Sequence, residues 1–242
     1  MQGHTIVVTG GASGLGRAVC LRLARAGARI AVIDIDAAGA AAVVEEIRGF
    51  GGAAVSAVGD LTRRDSAHAL FAEVAATGRV HGLVNCAGVY PRRPILEVSD
   101  EDWDFSFAVN VRGLYHMSVA AIRHMQGQGG GRIVNVASID AFKAHPKNAH
   151  YAAMKAAVVS LTKSLGHEVA GQGILVNGVA PAAIATEKAK AAGFLPELAA
   201  QTPIGRAAEP DDVADVILFL VSGQNRYMVG ETVAVSGGYF IP

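Results

Sequence analysis

The feature that most limits the fold is an alternation of β-branched runs with helix-period segments, unbroken from residue 4 onward. The run 4–9 ends in Gly10-Gly11-Ala12-Ser13-Gly14-Leu15-Gly16, and a helix with Leu15, Val19, Leu21 and Leu23 apolar follows to about Gly27. The next run, 29–34, is apolar through Ile30-Ala31-Val32-Ile33. Successive side chains of a strand point to opposite faces, so such a run is buried on both, as in a parallel sheet covered by helices. A helix over 38–50, a strand over 53–58, a helix over 66–77 and a strand over 80–85 complete β-α-β-α-β-α-β. Helical crossovers of this length are what parallel pairing needs.

The alternation resumes with longer helices. Residues 100–125 predict two helices broken near Asn110 or Val111, and 132–137 a strand. A loop over 138–148 precedes a helix over 150–170, then strands over 174–179 and 229–235 flank a helix opening at Pro210-Asp211-Asp212. Between them, 181–201 is an Ala-rich flap of low polarity. The expected fold is α/β: a Rossmann-type, doubly wound parallel sheet of about seven strands. No linker or charge run divides the chain, so it reads as one domain over 1–242, its cofactor half about 1–130 and its catalytic half about 131–242.

Composition narrows the partners. Hydrophobic content is 51% and formal net charge is zero, which fits a large core and offers no electrostatic pull toward nucleic acid or membrane. No apolar run is long enough to span a bilayer and no leader pattern opens the sequence, so a cytoplasmic protein is expected. Cys20 and Cys86 read as small buried residues, and the eight histidines lack metal-ligand spacing, so no metal is expected.

The glycine-rich turn has the right setting for a dinucleotide. It follows a strand and opens a helix, so backbone N–H groups and the positive end of the helix dipole face whatever lies there. Asp34 ends the second strand, where a carboxylate accepts from ribose hydroxyls and repels a 2′-phosphate. Gly11 and Ser13 supply no cation and Arg17 is the nearest base, so NAD is favoured over NADP. Further on, Tyr151 and Lys155 stand one helical turn apart on one face. A phenol with an ordinary pKa of about 10 transfers protons poorly at neutral pH, and an ammonium beside it favours the phenolate. Ser138, placed at the same point, would hold a carbonyl or alcohol oxygen.

With these residues in place the chain resembles the short-chain dehydrogenase/reductase family over nearly its whole length. The matching positions are residues 9–16, Asp34, Asp60, Asn85-Cys86-Ala87-Gly88, Asn110, Ser138, Tyr151, Lys155, Asn177, Pro181 and Thr186. The resemblance implies catalytic roles for Asn110, which would position a relay water, Ser138, Tyr151 and Lys155. It implies cofactor contacts from Gly10, Ser13, Gly14, Leu15, Gly16, Asp34 and Ile35, and from Asp60 and Leu61 near the adenine. Asn85, Ala87 and Gly88 would close over the adenosine side, Tyr151 and Lys155 would meet the ribose side, and Pro181, Ile184 and Thr186 would meet the nicotinamide end. The family commonly has Gly where this chain has Ala182, and an alanine at positive φ there would cost about 1 kcal/mol.

Substrate contacts are expected from Ser138, Asp140, Asn148, Tyr151 and Arg92, with His145 and His150 near the tyrosine. Arg92 and Arg93 suit an anion, although adjacent loop arginines are more often solvated. The flap, with Ala189, Ala191, Ala192, Phe194 and Leu195, reads as a lid. The small residues of helix 150–170 and the apolar tail 239–242 point to a homotetramer or homodimer, because such a tail is costly when exposed. The expected activity is NAD-dependent interconversion of a small secondary alcohol and a ketone. The alternatives are an NADPH-dependent 3-oxoacyl-carrier-protein reductase, against which Asp34 speaks, and a non-catalytic nucleotide-sensing protein, which would have a damaged Ser/Tyr/Lys set. A longer epimerase or dehydratase needs a larger C-terminal region than 242 residues allow.

Overall fold

The computed structural model describes residues 1–144, 146–193 and 195–241. Its strands are β1 (Thr5–Thr9), β2 (Arg29–Asp34), β3 (Ala54–Val58), β4 (Gly82–Asn85), β5 (Gly131–Val136), β6 (Ile174–Pro181) and β7 (Thr232–Val235). They form one sheet in the order β3-β2-β1-β4-β5-β6-β7, with every adjacent pair parallel. The helices are α1 (Gly14–Arg25), α2 (Ala37–Gly49), α3 (Arg64–Ala75), α4 (Asp100–Phe107), α5 (Leu114–Gln126), α6 (Ala149–Val169), α7 (Glu187–Ala191), α8 (Leu195–Gln201) and α9 (Pro210–Val221). The doubly wound sheet read from the sequence is therefore present.

The all-apolar strands have the predicted cause. In β1, Ile6 and Val8 pack with α1, α2 and α9, while Val7 packs with α3 and α5 on the opposite face. A third cluster joins Leu114, Val158 and Val159 to Ala137, Ile139 and Ala180 where α5 and α6 meet the strand ends. Each fully buried aliphatic side chain stabilises the fold by about 1.5–3 kcal/mol, so both helical layers are required. Strand order reverses between β1 and β4, and the crevice at such a switch point, outside the carboxyl ends, is where these sheets bind ligands.

Several boundaries differ from the sequence reading for local reasons. No break occurs at Asn110: residues 108–113 form a π-helix that joins α4 to α5 without interruption. A π turn is a widened helical register found often at functional sites. β4 begins at Gly82 and not at Val80, because the Val80 N–H donates to His124 Nε2 (3.1 Å) and leaves the ladder. Ala182 is not among the positive-φ residues, and its N–H donates to Val235 O (3.1 Å), so the strain anticipated there is absent. The C-terminal tail is largely accommodated within the chain: Phe240 stacks on Phe142 at 5.6 Å and both Tyr239 and Phe240 pack on the third cluster, while Ile241 is exposed. Pro242, His145 and Phe194 lie outside the described residues.

Two histidines cap strand entrances as acceptors. Thr5 N–H donates to His81 Nδ1 (3.1 Å), and Val80 N–H to His124 Nε2. A ring nitrogen that accepts must be unprotonated, and imidazolium has no acceptor. Burial lowers the pKa of both; the neighbouring His4 and Arg79 add to this at His81, and Arg79 at His124. A folded pKa below the unfolded value of 6.5 gives a contribution that is complete above that pH and is lost as pH falls through the folded pKa. The urea midpoint is therefore expected to fall between pH 7.5 and pH 5.5, and His124→Gln to flatten that dependence. Equal midpoints at the two pH values would contradict the capping role.

Candidate active site

The turn after β1 is held tight against the loop after β4. Gly10 sits at φ +67°, and a Cβ there would lie 2.6 Å from Ala87 Cα; a Cβ on Gly16 would lie 1.9 Å from Gly10 O. Thr9 Oγ1 accepts from both Cys86 N–H (3.1 Å) and Ala87 N–H (3.2 Å), which closes the contact. Ser13 occupies the N-cap of α1, yet its side chain makes no capping bond, so the first-turn N–H groups are not taken up by it. Close backbone approach with no side chain in the way is what a phosphate cradle requires.

Asp34 is fixed beside this turn. Ala12 N–H donates to its Oδ2 (2.9 Å) and Asp36 N–H to its Oδ1 (3.0 Å), and each carboxylate oxygen keeps a second acceptor site. Arg17 is ion-paired to Glu46. Ile35, beside Asp34, is 72% exposed. Asp60 folds its carboxylate onto Thr62, accepting from both the N–H and the hydroxyl at 2.8 Å. Leu61 is held through its carbonyl by His116 Nδ1 (3.2 Å) and packs over Gly113 of the π-helix.

A cavity of about 320 Å³ opens at the carboxyl ends of β4, β5 and β6. Leu15, Gly88, Asn110, Ser138, Asp140, Tyr151, Lys155, Pro181, Ile184 and Thr186 all line it, so residues far apart in sequence share one wall. Gly10, Ser13, Gly14, Gly16, Asp34, Ile35, Asp60, Leu61, Asn85 and Ala87 do not. Asn85 is instead buried in a network: its Nδ2 donates to Ser118 Oγ (3.0 Å) and to Asn135 Oδ1 (2.9 Å). Asn135 Nδ2 continues to Thr162 Oγ1 (3.0 Å), which donates to Val158 O (2.8 Å). The chain of bonds thus ties α5, β4, β5 and α6 together and sets the position of Tyr151 and Lys155 on the sheet. Asn85 braces strands, and Ser118, Asn135 and Thr162 are partners that sequence reading missed.

Around the phenol the geometry is well defined. Tyr90 and Tyr151 meet edge to face at 4.7 Å. Lys155 Nζ donates to Val136 O (2.8 Å) and lies 5.6 Å from the Tyr151 ring centroid. Burial pushes the ammonium down to about 8, with Cys86 opposing. The sequence predicts a phenol lowered by Lys155, but burial raises the Tyr151 pKa, the Asp140 charge adds to the rise and Ser138 opposes it by hydrogen bonding. The physical reason is desolvation, which disfavours phenolate and ammonium alike. Asn110 pins the neighbouring loop: its Oδ1 accepts from Val89 N–H (3.2 Å) and its Nδ2 donates to Val89 O (3.1 Å) and Ser106 O (3.1 Å).

The substrate-side expectations divide. Asp140 lines the cavity and accepts from Asn148 Nδ2 (2.9 Å), whereas Asn148 and His150 are fully buried and do not line it. Arg93 pairs with Asp102 (2.8 Å). Arg92 lines a second cavity of about 450 Å³ with Lys143, Lys147 and Glu197, and the two cavities share Tyr90, Leu198 and Tyr239. Leu198 brings α8 of the flap into the wall, and Tyr239 brings the tail; Lys143 Nζ stands 4.0 Å over the Tyr239 ring. Cys20 is buried as predicted, but Cys86 is only half-buried because it forms part of the cavity wall, with burial pushing its thiol up to about 12.

The chain matches the family model described as enoyl-(acyl carrier protein) reductase over residues 10–240. It is 35% identical to the 3-oxoacyl-[acyl-carrier-protein] reductase of Thermotoga maritima, covering 100% of this chain and 99% of the relative. It is 39% identical to the galactitol 2-dehydrogenase (L-tagatose-forming) of Cereibacter sphaeroides, covering 100% and 96%. The chain belongs to the short-chain dehydrogenase/reductase family.

As a member of that family it is an oxidoreductase. Among solved structures of the family, a putative NAD(P) dependent gluconate 5-dehydrogenase from Beutenbergia cavernae, with NADP bound at low occupancy, superposes with a TM-score of 0.94 at 39% identity. That alignment covers 99% of this chain and 97% of the other. A nicotinamide dinucleotide suits the residues present, since the cradle at Gly10 and Gly16 leaves no room for a Cβ and Asp34 stands beside it with oriented acceptors. Among the described residues no helix is long and apolar enough to cross a membrane, and no three His, Cys, Asp or Glu side chains come together as metal ligands would.

Proposed function

We propose that the protein is an NAD-dependent dehydrogenase that interconverts a secondary alcohol and a ketone, with Tyr151 as general acid and base. The observation that carries this reading is the convergence of Ser138, Tyr151 and Lys155 on one cavity beside the glycine cradle. Gly10, Ser13, Gly14, Gly16 and Asp34 would hold the pyrophosphate and adenosine ribose. Ile35, Asp60 and Leu61 would border the adenine, and Gly88, Pro181, Ile184 and Thr186 would hold the nicotinamide end. The bound cofactor supplies the ring that takes a hydride from the carbinol carbon or returns it.

The chain's own residues handle the oxygen. In oxidation the carbinol C–H leaves as hydride and the O–H proton passes to the Tyr151 phenolate, so the carbonyl forms with charge balanced. Ser138 Oγ holds the substrate oxygen while this happens. Lys155, anchored by Val136 O, favours the phenolate as the proton moves, and Asn110 keeps the Val89 loop against the same wall. The mostly apolar lining of the cavity strengthens each of these interactions.

Cofactor choice rests on Asp34 and on Arg17, whose guanidinium is engaged by Glu46. A carboxylate at the ribose accepts from hydroxyls and repels a phosphate. With a panel of alcohols and ketones followed by nicotinamide absorbance, kcat/KM with NAD is expected to exceed that with NADP by about 10- to 100-fold, the size of one charged hydrogen bond. Asp34→Ala should narrow the ratio. Equal or better turnover with NADP in the wild type would overturn the preference. An NADPH-dependent ketoreductase is the second reading, favoured by the Thermotoga maritima relative and by the neighbour with bound NADP. A homo-oligomer, which we take to be a tetramer, is supported by exposed Trp103, Phe105, Phe107 and Tyr115 along α4 and the start of α5. We place this oligomer in the cytoplasm.

A further inference from the structure

The loop that joins β3 to α3 carries Leu61, and its support comes from a different layer of the fold. His116, in the first turn of α5, is buried, and its Nδ1 lies 3.2 Å from Leu61 O. A carbonyl oxygen only accepts, so Nδ1 carries the proton. Burial lowers the pKa of the ring, the Leu61 carbonyl opposes, and Arg64, His68 and Arg112 lower it further. A neutral imidazole has one N–H, and here it is committed to Leu61.

Gly113, at the end of the π-helix, meets the same residue. A Cβ on Gly113 would lie 3.3 Å from Leu61 Cβ and 3.4 Å from Leu61 O, so the helix approaches the loop main chain with no side chain between them. Within the loop, Asp60 accepts from Thr62 N–H and hydroxyl, both at 2.8 Å, and Gly59 N–H donates to Asp34 O (3.0 Å). Those bonds fix the loop's internal shape and its attachment to β2; the His116 bond ties it to α5. Without that N–H the Leu61 carbonyl is left unpaired, and the loop can pair it with water only by moving off the helix. A flat base held on such a loop by dispersion loses about a quarter to a half of that attraction across a gap of ~0.5–1 Å.

We propose that His116 is a positioning residue for the dinucleotide: by holding the Leu61 carbonyl it sets the loop against which the adenine ring lies. This rests on the reading of Leu61 as an adenine contact and adds a residue that itself touches no part of the cofactor. The effect is on binding and not on proton transfer. Asn110, which lines the catalytic cavity, is held by its own bonds to Val89 and Ser106.

The test uses the full chain with two substitutions and two probes. His116→Phe keeps a ring and removes the donor, whereas His116→Asn keeps an N–H at nearly the same place. Affinities for NADH, by fluorescence, and for AMP, by displacement of NADH, are expected to fall together in the Phe variant by about 3- to 10-fold, the size of one neutral hydrogen bond. The Asn variant should bind both within about 2-fold of the wild type. The Phe variant should show KM for NAD raised by the same factor with kcat unchanged, the sign of lost uniform binding. A purely structural role would instead lower the urea midpoint of both variants and leave the affinities alone, and that result overturns the inference. So does a loss for NADH without a loss for AMP, which places the damage away from the adenine. If AMP fails to displace NADH from the wild type, the adenine reading of Leu61 falls and the inference with it. Turnover of no alcohol or ketone, with the affinities as expected, removes the dehydrogenase reading and upholds the role of His116.

Discussion

Replacing Tyr151 with Phe is expected to lower kcat for alcohol oxidation by about 10²- to 10⁴-fold, the usual contribution of a positioned acid or base. The substitution removes one oxygen and leaves the ring, so the edge-to-face contact with Tyr90 at 4.7 Å persists. Loss of the hydrogen bond to Ser138 should cost no more than about 1.5 kcal/mol of stability by urea titration. The pH dependence gives an independent check. Burial and the Asp140 charge raise the phenol above its ordinary value, while Ser138 opposes; Tyr90 and Cys86 add smaller upward pushes. A base with a raised pKa is mostly protonated at neutral pH, so oxidation by the wild type should quicken as pH rises into the alkaline range. The Phe variant should lose that rise. Near wild-type turnover by Tyr151→Phe on a good substrate would mean that another group moves the proton.

Gly16→Ala is expected to be the most damaging single methyl in the cofactor half. The added Cβ would lie 1.9 Å from Gly10 O and 2.7 Å from Gly10 C, and both are backbone atoms that cannot turn aside. Either α1 or the turn after β1 must move, and α1 is packed against α9 through the first core cluster. Overpacking of this kind costs about 1–3 kcal/mol, so the urea midpoint should fall. A displaced turn would no longer present its N–H groups to the proposed pyrophosphate, and affinity for NADH by fluorescence titration should drop at least about 100-fold, the order of one or two charge-assisted bonds. Binding of NADH close to that of the wild type would show that the turn does not carry the pyrophosphate.

The parts legible in the sequence were those governed by local chemistry. Two-faced burial wrote itself into Ile30-Ala31-Val32-Ile33, and from strands of that kind the parallel sheet and its helical layers follow. The Gly10–Gly16 turn, with Asp34 at the end of β2, was readable because each needs a particular residue type at a particular strand end. Tyr151 and Lys155 were readable as a pair because the α-helix repeat alone places them one turn apart. Asn110 was found, but its setting was not: the widened π register depends on how α4 and α5 pack, and the sequence around it suggested a break.

Tertiary structure alone decided what surrounds those residues. Whether Tyr151 is raised or lowered depends on burial against Tyr90 and against the Ser138–Asp140 turn, two segments far apart in sequence, and no spacing rule reports desolvation. The Ser118–Asn85–Asn135–Thr162 chain sets α6 on the sheet through residues whose only sequence mark is a polar side chain in an apolar run. The tail looked like a surface for a partner, yet Phe240 stacks on Phe142 and Tyr239 enters the cavity wall, because the last strand returns the chain to the site. The sequence by itself determined the alternation, the glycine-rich turn and the one-turn spacing of Tyr151 and Lys155, all set by backbone geometry and short-range periodicity. Which side chains line the cavity was settled only by the tertiary structure, where segments distant in sequence meet at the carboxyl edge of the sheet.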